Sequence, residues 1–420
     1  MRGETILSTS MDDTTDTQFM EDKPDSRIGI KTAIVILNWN GKSYLEKFLP
    51  ALLHSVDLRN STAAPHEGRS EVIIADNAST DGSVEMLRER FPNLRLILLD
   101  RNYGFTGGYN RALSRIDAQY YLLLNSDVEV SDGWLEPLEE WLDTHHLCGA
   151  CAPKLLSWND REMFEYAGAA GGLLDRFGYP FCRGRVMGMT EKDYGQYDEP
   201  ENVLWVSGAC LMTRSELFHR VGGFDERFFA HQEEIDLCWR IQLEGYFVTV
   251  IPESEVYHVG GGTLPNDSPW KLELNYRNNL LMLENNLAKT FALDYFNENY
   301  IEPEGAQLEG DVPEDEIMAA KAASHGLRKA SSVIFKRKCL DGLSALVYLF
   351  SLKTEKFRAV LKAHRSFRKL VRRPSREEIK NYLLEKGKIS GVNGFFGKWI
   401  VRMALVHGER VFRRLRQEDI

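Results

Sequence analysis

The stretch "YYLLLNSDVEV", residues 120–130, decides the fold because it joins an apolar run to a polar turn. Tyr120 to Leu124 are all apolar or aromatic, and Asn125, Ser126 and Asp127 follow at once. A short apolar run of this kind is typical of a strand that is covered on both faces. A carboxylate at the end of such a strand is costly unless something binds it. The stretch therefore indicates a buried strand whose end faces a ligand.

Similar apolar runs recur along the chain and alternate with amphipathic helical patterns. Strands are predicted at 32–37, 71–77, 94–100, 120–124 and 149–156. Strands that alternate with helices in this way are typical of a parallel sheet with helices on both faces. The sequence predicts an α/β fold with a doubly wound, mostly parallel sheet.

Composition divides the 420 residues into segments. Residues 292–317 contain nine acidic side chains and no basic one, whereas residues 328–420 contain 24 Lys and Arg against 8 Asp and Glu. The prediction is a disordered acidic tail over 1–30, an α/β domain over 31–290 with an insertion at 157–202, an acidic flexible insert over 291–327, and a basic helical region over 328–420.

Other bulk features indicate a cytoplasmic protein. The sequence has no run of eighteen apolar residues and no apolar signal core near its start, so neither a transmembrane helix nor export is expected. Six scattered cysteines are typical of a reducing compartment. Within that number, Cys148 and Cys151 form a C-x-x-C without a second ligand pair, which favours packing over a zinc site.

Polar residues follow each of the first four predicted strands. They are Asn38 with Asn40, Asp76 with Asn77, Asp100 with Asn102, and Asn125 with Asp127. Asn and Asp also make good turns, but the carboxyl ends of parallel strands meet at one edge of a sheet, where ligands bind. Four such ends favour a binding site over coincidence.

Glycine-rich motifs give weaker information about the ligand. "NWNGKSY" after the first strand lacks the G-x-G-x-x-G of dinucleotide-binding domains. "GFTGGYN" (104–110) lacks the Lys-Ser/Thr of a P-loop, and a tight turn is as good an interpretation as phosphate contact.

Two groups of side chains are candidates for chemistry. Asp127 would be neutralised by a hard cation with a nucleotide diphosphate, and His258 in "EVYHVGGGT" is either a second ligand or a hydrogen-bonded core histidine. Glu233, Glu234 and Asp236 open a predicted helix, where carboxylates either complement the helix dipole or supply a general base.

The ordered motifs resemble the family 2 glycosyltransferases, most closely the rhamnosyltransferase-like bacterial enzymes. The resemblance covers about residues 32–285 and rests on "VILNWNGKSYLEKFLPAL", "IIADNASTDGSVE", "RNYGFTGGYNRAL", "LLLNSDVEV", "GGFDERFFAHQEEIDLCWR" and "VYHVGGGT". It implies a GT-A fold for 31–290, a nucleotide-sugar donor of the dTDP-rhamnose or UDP-sugar type, and inversion at the anomeric carbon.

The resemblance also implies roles for individual residues. "NSD" matches the family's DxD-type motif, with Asn125 in place of its first Asp, so Asp127 should hold Mg²⁺ or Mn²⁺ and His258 should add a ligand. Glu234 takes the place of the catalytic base, within the group of Glu233, Glu234 and Asp236. The nucleotide-sugar site is expected at Asn38, Trp39, Asp76, Asn102 and Asn125.

The insertion and the basic region suggest how an acceptor is bound. "DRFGYPFCRGR" (175–185) is either loop filler or an acceptor-binding flap with Arg183 and Arg185 near a phosphate. The expected acceptor is a saccharide or a polyprenyl-diphosphate-linked one, as in surface polysaccharide synthesis. The basic region would then hold the enzyme on the anionic inner face of the plasma membrane, and no nucleic acid partner is expected.

Two other functions remain open at this point. A nucleotidyltransferase on a similar sheet would need a basic, glycine-rich loop after the first strand, which "NWNGKSY" matches poorly. A catalytically weak carbohydrate-binding or scaffold protein would not need the set Asp127, Glu234 and His258.

Overall fold

The computed structural model describes residues 29–64, 67–260, 268–300 and 314–417. The predicted acidic tail therefore lies almost entirely outside the described residues, as does the middle of the predicted acidic insert. The strands are β1 Ile30–Asn38, β2 Arg69–Asp76, β3 Arg95–Leu98, β4 Ala118–Leu124, β5 Val128–Val130, β6 Cys148–Ser157, β7 Gly172–Asp175, β8 Pro180–Cys182, β9 Arg185–Val186, β10 Met189–Thr190, β11 Glu201–Asn202, β12 Cys210–Arg214, β13 Phe247–His258 and β14 Phe395–Phe396.

Helices separate most of the longer strands. They are α1 Lys42–Thr62, α2 Ser83–Arg90, α3 Gly104–Leu113, α4 Glu136–Thr144, α5 Ser215–Arg220, α6 Glu233–Gln242, α7 Pro269–Asn299, α8 Glu314–Phe350, α9 Thr354–Leu370, α10 Arg376–Lys386, α11 Ile400–His407 and α12 Arg410–Leu415.

The main sheet has the strand order β11-β13-β6-β12-β4-β1-β2-β3, and β5 pairs with β13 beside this path. Strands β4, β1, β2 and β3 are parallel, and β12 runs antiparallel between β4 and β6. The predicted mostly parallel α/β sheet is confirmed. Its parallel half brings the ends of β1, β2 and β4 to one edge.

Both faces of the sheet are buried, as the continuous apolar strands predict. Ile34 and Ile36 pack in one core with α1 and α4, whereas Ala33 and Val35 face a second core that includes α3, α6 and α7. Because successive side chains of a strand point to opposite faces, a fully apolar strand needs helices on both sides.

The insertion at 157–202 is a small sheet rather than a loop. Strands β7 to β10 lie in the order β10-β9-β8-β7-β14, so a strand from the C-terminal region completes this sheet. Ile400 N donates to Asp175 Oδ2 at 3.1 Å, which ties the start of α11 to the end of β7.

The predicted flexible insert over 291–327 is wrong where the structure describes it. Helix α7 continues to Asn299 and α8 begins at Glu314. Leu293 and Phe296 are buried in α7, and Ala319, Ala322 and Ala323 are buried in α8. The acidic composition misled the prediction because it counts charges without regard to the helix face on which they lie. The basic region that follows is helical as predicted.

Candidate active site

The ends of β1 and β2 interlock at the carboxyl edge of the sheet. Asn38 Nδ2 donates to Asp76 Oδ1 at 2.9 Å and to Ser79 Oγ at 3.0 Å, and both Asn38 and Asp76 are buried. Trp39 follows with 41% of its surface exposed. Two of the predicted nucleotide-binding residues are therefore in contact, with an exposed aromatic ring beside them.

A second set of hydrogen bonds joins the end of β2 to the start of α3. Asn77 Nδ2 donates to Asn102 Oδ1 and to Gly104 O, both at 3.0 Å. Gly104 has a φ of +72°, and a Cβ there would lie 2.6 Å from the carbonyl oxygen of Phe229. The "GFTGGYN" motif therefore forms the first turns of α3, and the missing side chain of Gly104 at the helix start lets the segment around Phe229 approach.

The polar turn after β4 lies next to the end of β1. The Asn125 amide donates to Ala209 O at 2.9 Å. A Cβ on Gly41 would meet Asn38 Oδ1 at 2.6 Å and Ser126 Oγ at 3.1 Å. Asn125 and Asp127 thus stand at the same edge as Asn38 and Asp76, as predicted from their positions after successive strands.

His258 is buried between two carboxylates. Its Nε2 lies 3.2 Å from Asp127 Oδ1, and its Nδ1 lies 3.3 Å from Glu165 Oε1, an ion-pair distance without hydrogen-bond geometry. The register of β5 on β13 explains the first contact, because Val128 is the partner of His258.

Charges in this cluster compensate each other. Burial alone lowers the pKa of His258, but the carboxylates of Glu165 and Asp127 outweigh it and raise the pKa to about 10. For Asp127, burial raises the pKa, and the contact with His258 outweighs this effect and lowers it. The pocket therefore favours a positive charge between the two acids.

The Asp127–His258 pair fits a divalent cation that is shared with a substrate. Two ligand atoms 3.2 Å apart suit adjacent positions around one ion, and Mg²⁺ typically takes one or two protein ligands together with phosphate oxygens. Within the described ranges, no group of three or more His, Cys, Asp or Glu is arranged to hold a metal by itself. The remaining ligands would come from a diphosphate and water.

Glu233 and Glu234 differ although they are neighbours at the start of α6. Glu233 is buried and its Oε2 has no hydrogen-bond partner, and burial followed by the charge of Glu234 raises its pKa well above the usual range. Burial raises the pKa of Glu234 to about 7. Glu234 is partly exposed. Burial therefore makes both carboxyl groups harder to ionise than in water, and Glu234 is the more exposed of the two.

Asp236 differs from Glu233 and Glu234 in its hydrogen bonds. It is fully buried, and its Oδ1 accepts from Asn285 Nδ2 and Asn286 Nδ2, each at 2.9 Å. Its Oδ2 accepts from Arg240 Nε at 2.8 Å. A carboxylate with both oxygens occupied fastens α6 to α7, so the predicted catalytic role for Asp236 is replaced by a structural one.

The segment before α6 is strained and is held by α7. Phe229, His231 and Gln232 have positive φ angles of 65°, 74° and 67°, a conformation that non-glycine residues seldom adopt. Asn278 Nδ2 donates to three carbonyl oxygens of this segment: Phe228 at 3.0 Å, Ala230 at 2.8 Å and His231 at 2.7 Å. Asn278 therefore fixes the strained turn that delivers Glu234.

Contacts link Glu234 to the strand ends. A methyl group on Gly208 would lie 3.3 Å from the Phe105 ring and 3.6 Å from Glu234 Cβ. Ala209, the next residue, accepts the hydrogen bond from Asn125. Glu234 therefore adjoins the edge that carries Asn125 and Asp127.

The two arginines that are candidates for acceptor binding, Arg183 and Arg185, have different surroundings. The Arg185 guanidinium contacts Cys182 Sγ at 3.2 Å and lies 5.0 Å from the Tyr166 ring. Burial raises the pKa of the Cys182 thiol to about 11, and this thiol interacts electrostatically with Glu165 and Glu234. Arg183 instead donates to Ala170 O and lies over Tyr197, and burial lowers its pKa. Only Arg185 is thereby placed beside the candidate site.

Glu165 and Asn278 are the residues that the sequence analysis missed. Glu165 lies within the insertion, and Asn278 lies in a helix without a recognisable motif. The weak signal for Glu165 is a carboxylate among small and aromatic residues in "FEYAGAAGG".

The sequence profile of glycosyl transferase family 2 matches residues 33–221. This part of the chain is therefore similar to the family 2 glycosyltransferases. The match supports the predicted glycosyltransferase class, and the mostly parallel α/β sheet agrees with the predicted fold class. The matched range includes Asp76 and Asp127 and ends before Glu234 and His258.

Relatives of the chain come from several organisms. N-acetylglucosaminyl-diphospho-decaprenol L-rhamnosyltransferase of Mycobacterium tuberculosis is 26% identical over 266 residues, which are 60% of this chain and 83% of the relative. The O-antigen biosynthesis protein RfbC of Myxococcus xanthus is 30% identical over 50% of this chain and 16% of its own length. The hexosyltransferase Agl10 of Haloferax volcanii, which acts in low-salt glycan biosynthesis, is 23% identical over 53% of this chain and 70% of its own length.

Solved structures superpose on this chain only in part. GalNAc-T7 with UDP, GalNAc and Mn²⁺ has a TM-score of 0.47 at 16% identity, over 70% of this chain and 54% of that one. The mannosyltransferase PcManGT of Pyrobaculum calidifontis with GDP-Man and Mn²⁺ has a TM-score of 0.43 at 15% identity, over 80% and 86%.

The contacts of Asn278 predict a positioning role. Asn278→Ala removes the donor shared by three carbonyls and allows the strained turn to relax, so we expect unfolding to become easier by about 1–3 kcal/mol. Sugar transfer should fall more than this loss of folded protein explains. Urea unfolding and transfer rates measured on the folded enzyme test both effects.

Asn297→Ala is the matched control, because Asn297 lies on the same helix and donates to Ile389 O at 2.9 Å, away from the site. It should lower stability and leave transfer unchanged. An Asn278→Ala enzyme that transfers sugar at the normal rate once folded would contradict the positioning role.

Proposed function

We propose that this chain is an inverting glycosyltransferase that moves a sugar from a nucleoside diphosphate-sugar to a saccharide or polyprenyl-diphosphate-linked acceptor in surface polysaccharide synthesis. The observation that carries the proposal is the convergence of the Asp127–His258 pair and Glu234 on the edge that bears Asn38 and Asp76. The donor is of the dTDP-rhamnose or UDP-sugar type. The lipid-linked acceptor is supported by the name of the mycobacterial relative.

The donor site follows from the strand ends. Asn38 and Asp76 face the nucleoside with Trp39 beside them, and Asn102 and Asn125 line the path to the sugar. Asp127 and His258 would hold Mg²⁺ or Mn²⁺, which supplies positive charge to the diphosphate as it leaves. To act as a ligand, His258 would have to release the proton that the carboxylates of Glu165 and Asp127 favour.

The chemical step needs a base on the face of the sugar opposite the diphosphate. Glu234 takes the proton from the acceptor hydroxyl while the hydroxyl oxygen bonds to the anomeric carbon. The bond from that carbon to the diphosphate oxygen breaks, and its electron pair leaves with the diphosphate. Attack from the opposite face inverts the configuration.

Glu234→Gln tests the assignment of the base. The amide keeps the shape but cannot accept the proton, so transfer should fall by about 10²–10⁴-fold while donor binding persists. Transfer measured with a radiolabelled donor and UDP or dTDP binding measured by calorimetry give the two readouts. Glu216→Gln is the control, because Glu216 is an exposed acid in the first turn of α5.

The pH profile adds an independent check on Glu234. Since burial raises its pKa to about 7, transfer by the wild type should decrease below that pH as the base becomes protonated. The free energy of unfolding should change with pH in the opposite direction to the transfer rate. The raised folded-state pKa of Glu234 stabilises the fold below the ordinary value of 4.5, and this contribution is lost as the pH rises through about 7. Glu234→Gln should therefore gain stability over the wild type at alkaline pH. Near-normal turnover in this variant rejects Glu234 as the base.

Asp127→Asn tests the cation site. The variant keeps the size of the side chain and removes its charge, so the Mn²⁺-dependent part of UDP or dTDP binding should fall at least about tenfold, or 1.4 kcal/mol. Calorimetry with and without Mn²⁺ separates this part from nucleotide contacts. Asp132→Asn, at an exposed acid shortly after β5, should change nothing. An unchanged response to Mn²⁺ in Asp127→Asn would remove Asp127 from the cation site.

Arg185 is proposed to contact an acceptor phosphate, and Arg183 is its matched control. Arg185→Gln should raise the KM for a polyprenyl-diphosphate-linked saccharide and leave UDP binding unchanged, because Arg185 adjoins Glu165 and Glu234 through Cys182. Arg183→Gln, on the Tyr197 side of the small sheet, should leave the KM unchanged. Equal effects of the two variants would contradict the assignment.

A further inference from the structure

We propose that an exposed apolar stripe on α8 and on the turn after it docks on an anionic lipid bilayer and places the active-site opening beside that surface. The stripe consists of Phe335, Leu343, Leu346, Val347, Phe350 and Leu352. This inference rests on the proposed function in one respect: a lipid-linked acceptor has to reach the site from a membrane.

The stripe has the exposure of an interaction surface. Phe350 is 82% exposed, Leu352 85% and Phe335 68%. Positions 335, 343, 346, 347 and 350 fall on one face of a helix, whereas Ile334, Arg337, Asp341 and Ala345 are buried on the opposite face. Contiguous exposed apolar surface of this kind typically marks a protein or membrane contact.

Charge favours a lipid surface as the occupant. Residues 336–373 contain twelve Lys and Arg against two Asp and Glu, although the whole chain has a net charge of −10. On α9 and just beyond it, Arg358, Arg365, Lys369 and Arg372 are exposed at spacings of one helical face. His364 Nε2 lies 3.2 Å from Asp341 Oδ2, so this basic face belongs to the helix packed beside α8. An exposed apolar stripe on one helix and exposed basic side chains on the helix packed against it are features that an anionic bilayer binds.

The stripe would bind at the surface of the bilayer without crossing it. None of the helices that the structure describes combines the length and apolar content needed to cross a bilayer. The stripe is one face of a helix whose other face packs on the protein, so it can enter only the boundary between headgroups and acyl chains.

Contacts relate the stripe to the active site. The Tyr276 side chain lies next to Ser344, and Lys362 Nζ lies 2.8 Å from Glu273, so the α8–α9 turn is at the start of α7. Trp270, six residues before Tyr276 and thus about 9 Å along the helix, packs edge-on against Phe229 at 5.7 Å. The Phe229 carbonyl accepts from the Phe105 amide at 2.7 Å, beside Glu234. The end of the stripe is therefore at the same end of the molecule as the base.

A second exposed apolar pair lies near the other end of the stripe. Leu405 and Val406 on α11 are 76% and 63% exposed. The turn at 177–178 contacts both α8 and the residue before α11. Arg337 Nη1 of α8 donates to Gly178 O at 2.9 Å. Phe177 packs edge-on against Trp399, the residue before α11, with ring centroids 5.6 Å apart. Helix α11 is therefore linked to the Phe335 end of α8 through the turn at 177–178.

The test uses the full-length protein and vesicle flotation. On phosphatidylcholine vesicles that contain phosphatidylglycerol, Leu346→Glu/Phe350→Glu should lower the bound fraction at least about tenfold, since two apolar side chains lose their burial. Arg358→Glu/Arg365→Glu should weaken binding to these vesicles most at low salt and have little effect on pure phosphatidylcholine. The control Leu147→Glu changes a side chain that is 59% exposed elsewhere and should bind like the wild type.

Three outcomes overturn the proposal: flotation of Leu346→Glu/Phe350→Glu like the wild type, an equal loss in Leu147→Glu, or a wild type that does not float and whose dimer, seen by light scattering, dissociates in the double variant. The last result would assign the stripe to a second copy of the chain. Binding of UDP and of dTDP, measured in the same samples, separates this inference from the proposed function. Vesicle binding without nucleotide binding supports the docking surface and rejects the proposed transferase.

Discussion

The charge balance around His258 is the constraint on which the site depends. A buried imidazole between Asp127 and Glu165 requires a positive charge, and it joins the end of β13, the turn after β4 and the segment after β6. In the absence of a ligand, a proton supplies that charge, since the two carboxylates raise the pKa of His258 to about 10. In the bound state that we propose, Asp127 and His258 would hold a divalent cation instead, and the donor would supply further ligands.

The proposed base is positioned by a strained turn that a side chain of α7 holds. A turn with three positive φ angles precedes Glu234, and Asn278 holds its carbonyls from α7. Because α7 also packs against α8 and α9, one helix connects the proposed base to the proposed membrane surface. Asp236 contributes to the same junction by fastening α6 to Asn285 and Asn286. The proposed base and the proposed lipid-binding stripe are therefore connected through α7.

The sequence predicted the features that depend on the order of neighbouring residues along the chain. Asn38, Asp76, Asn125 and Asp127 could be placed because parallel strands bring their carboxyl ends together. Asp236 was misassigned because an acid in a first helical turn has the same sequence signal whether it faces a ligand or another helix. Glu165 and Asn278 could not be found, since their partners lie far away in the chain and no motif surrounds them. The acidic segment before α8 was misjudged because composition does not reveal Leu293 and Phe296 on a buried face.

A crystal structure with Mn²⁺ and UDP tests most directly whether Asp127 and His258 hold a divalent cation. The account predicts an anomalous manganese peak at about 2.0–2.4 Å from both Asp127 Oδ1 and His258 Nε2, with the other ligands provided by the diphosphate and water. A manganese ion bound elsewhere, with His258 still in contact with Asp127, would contradict it.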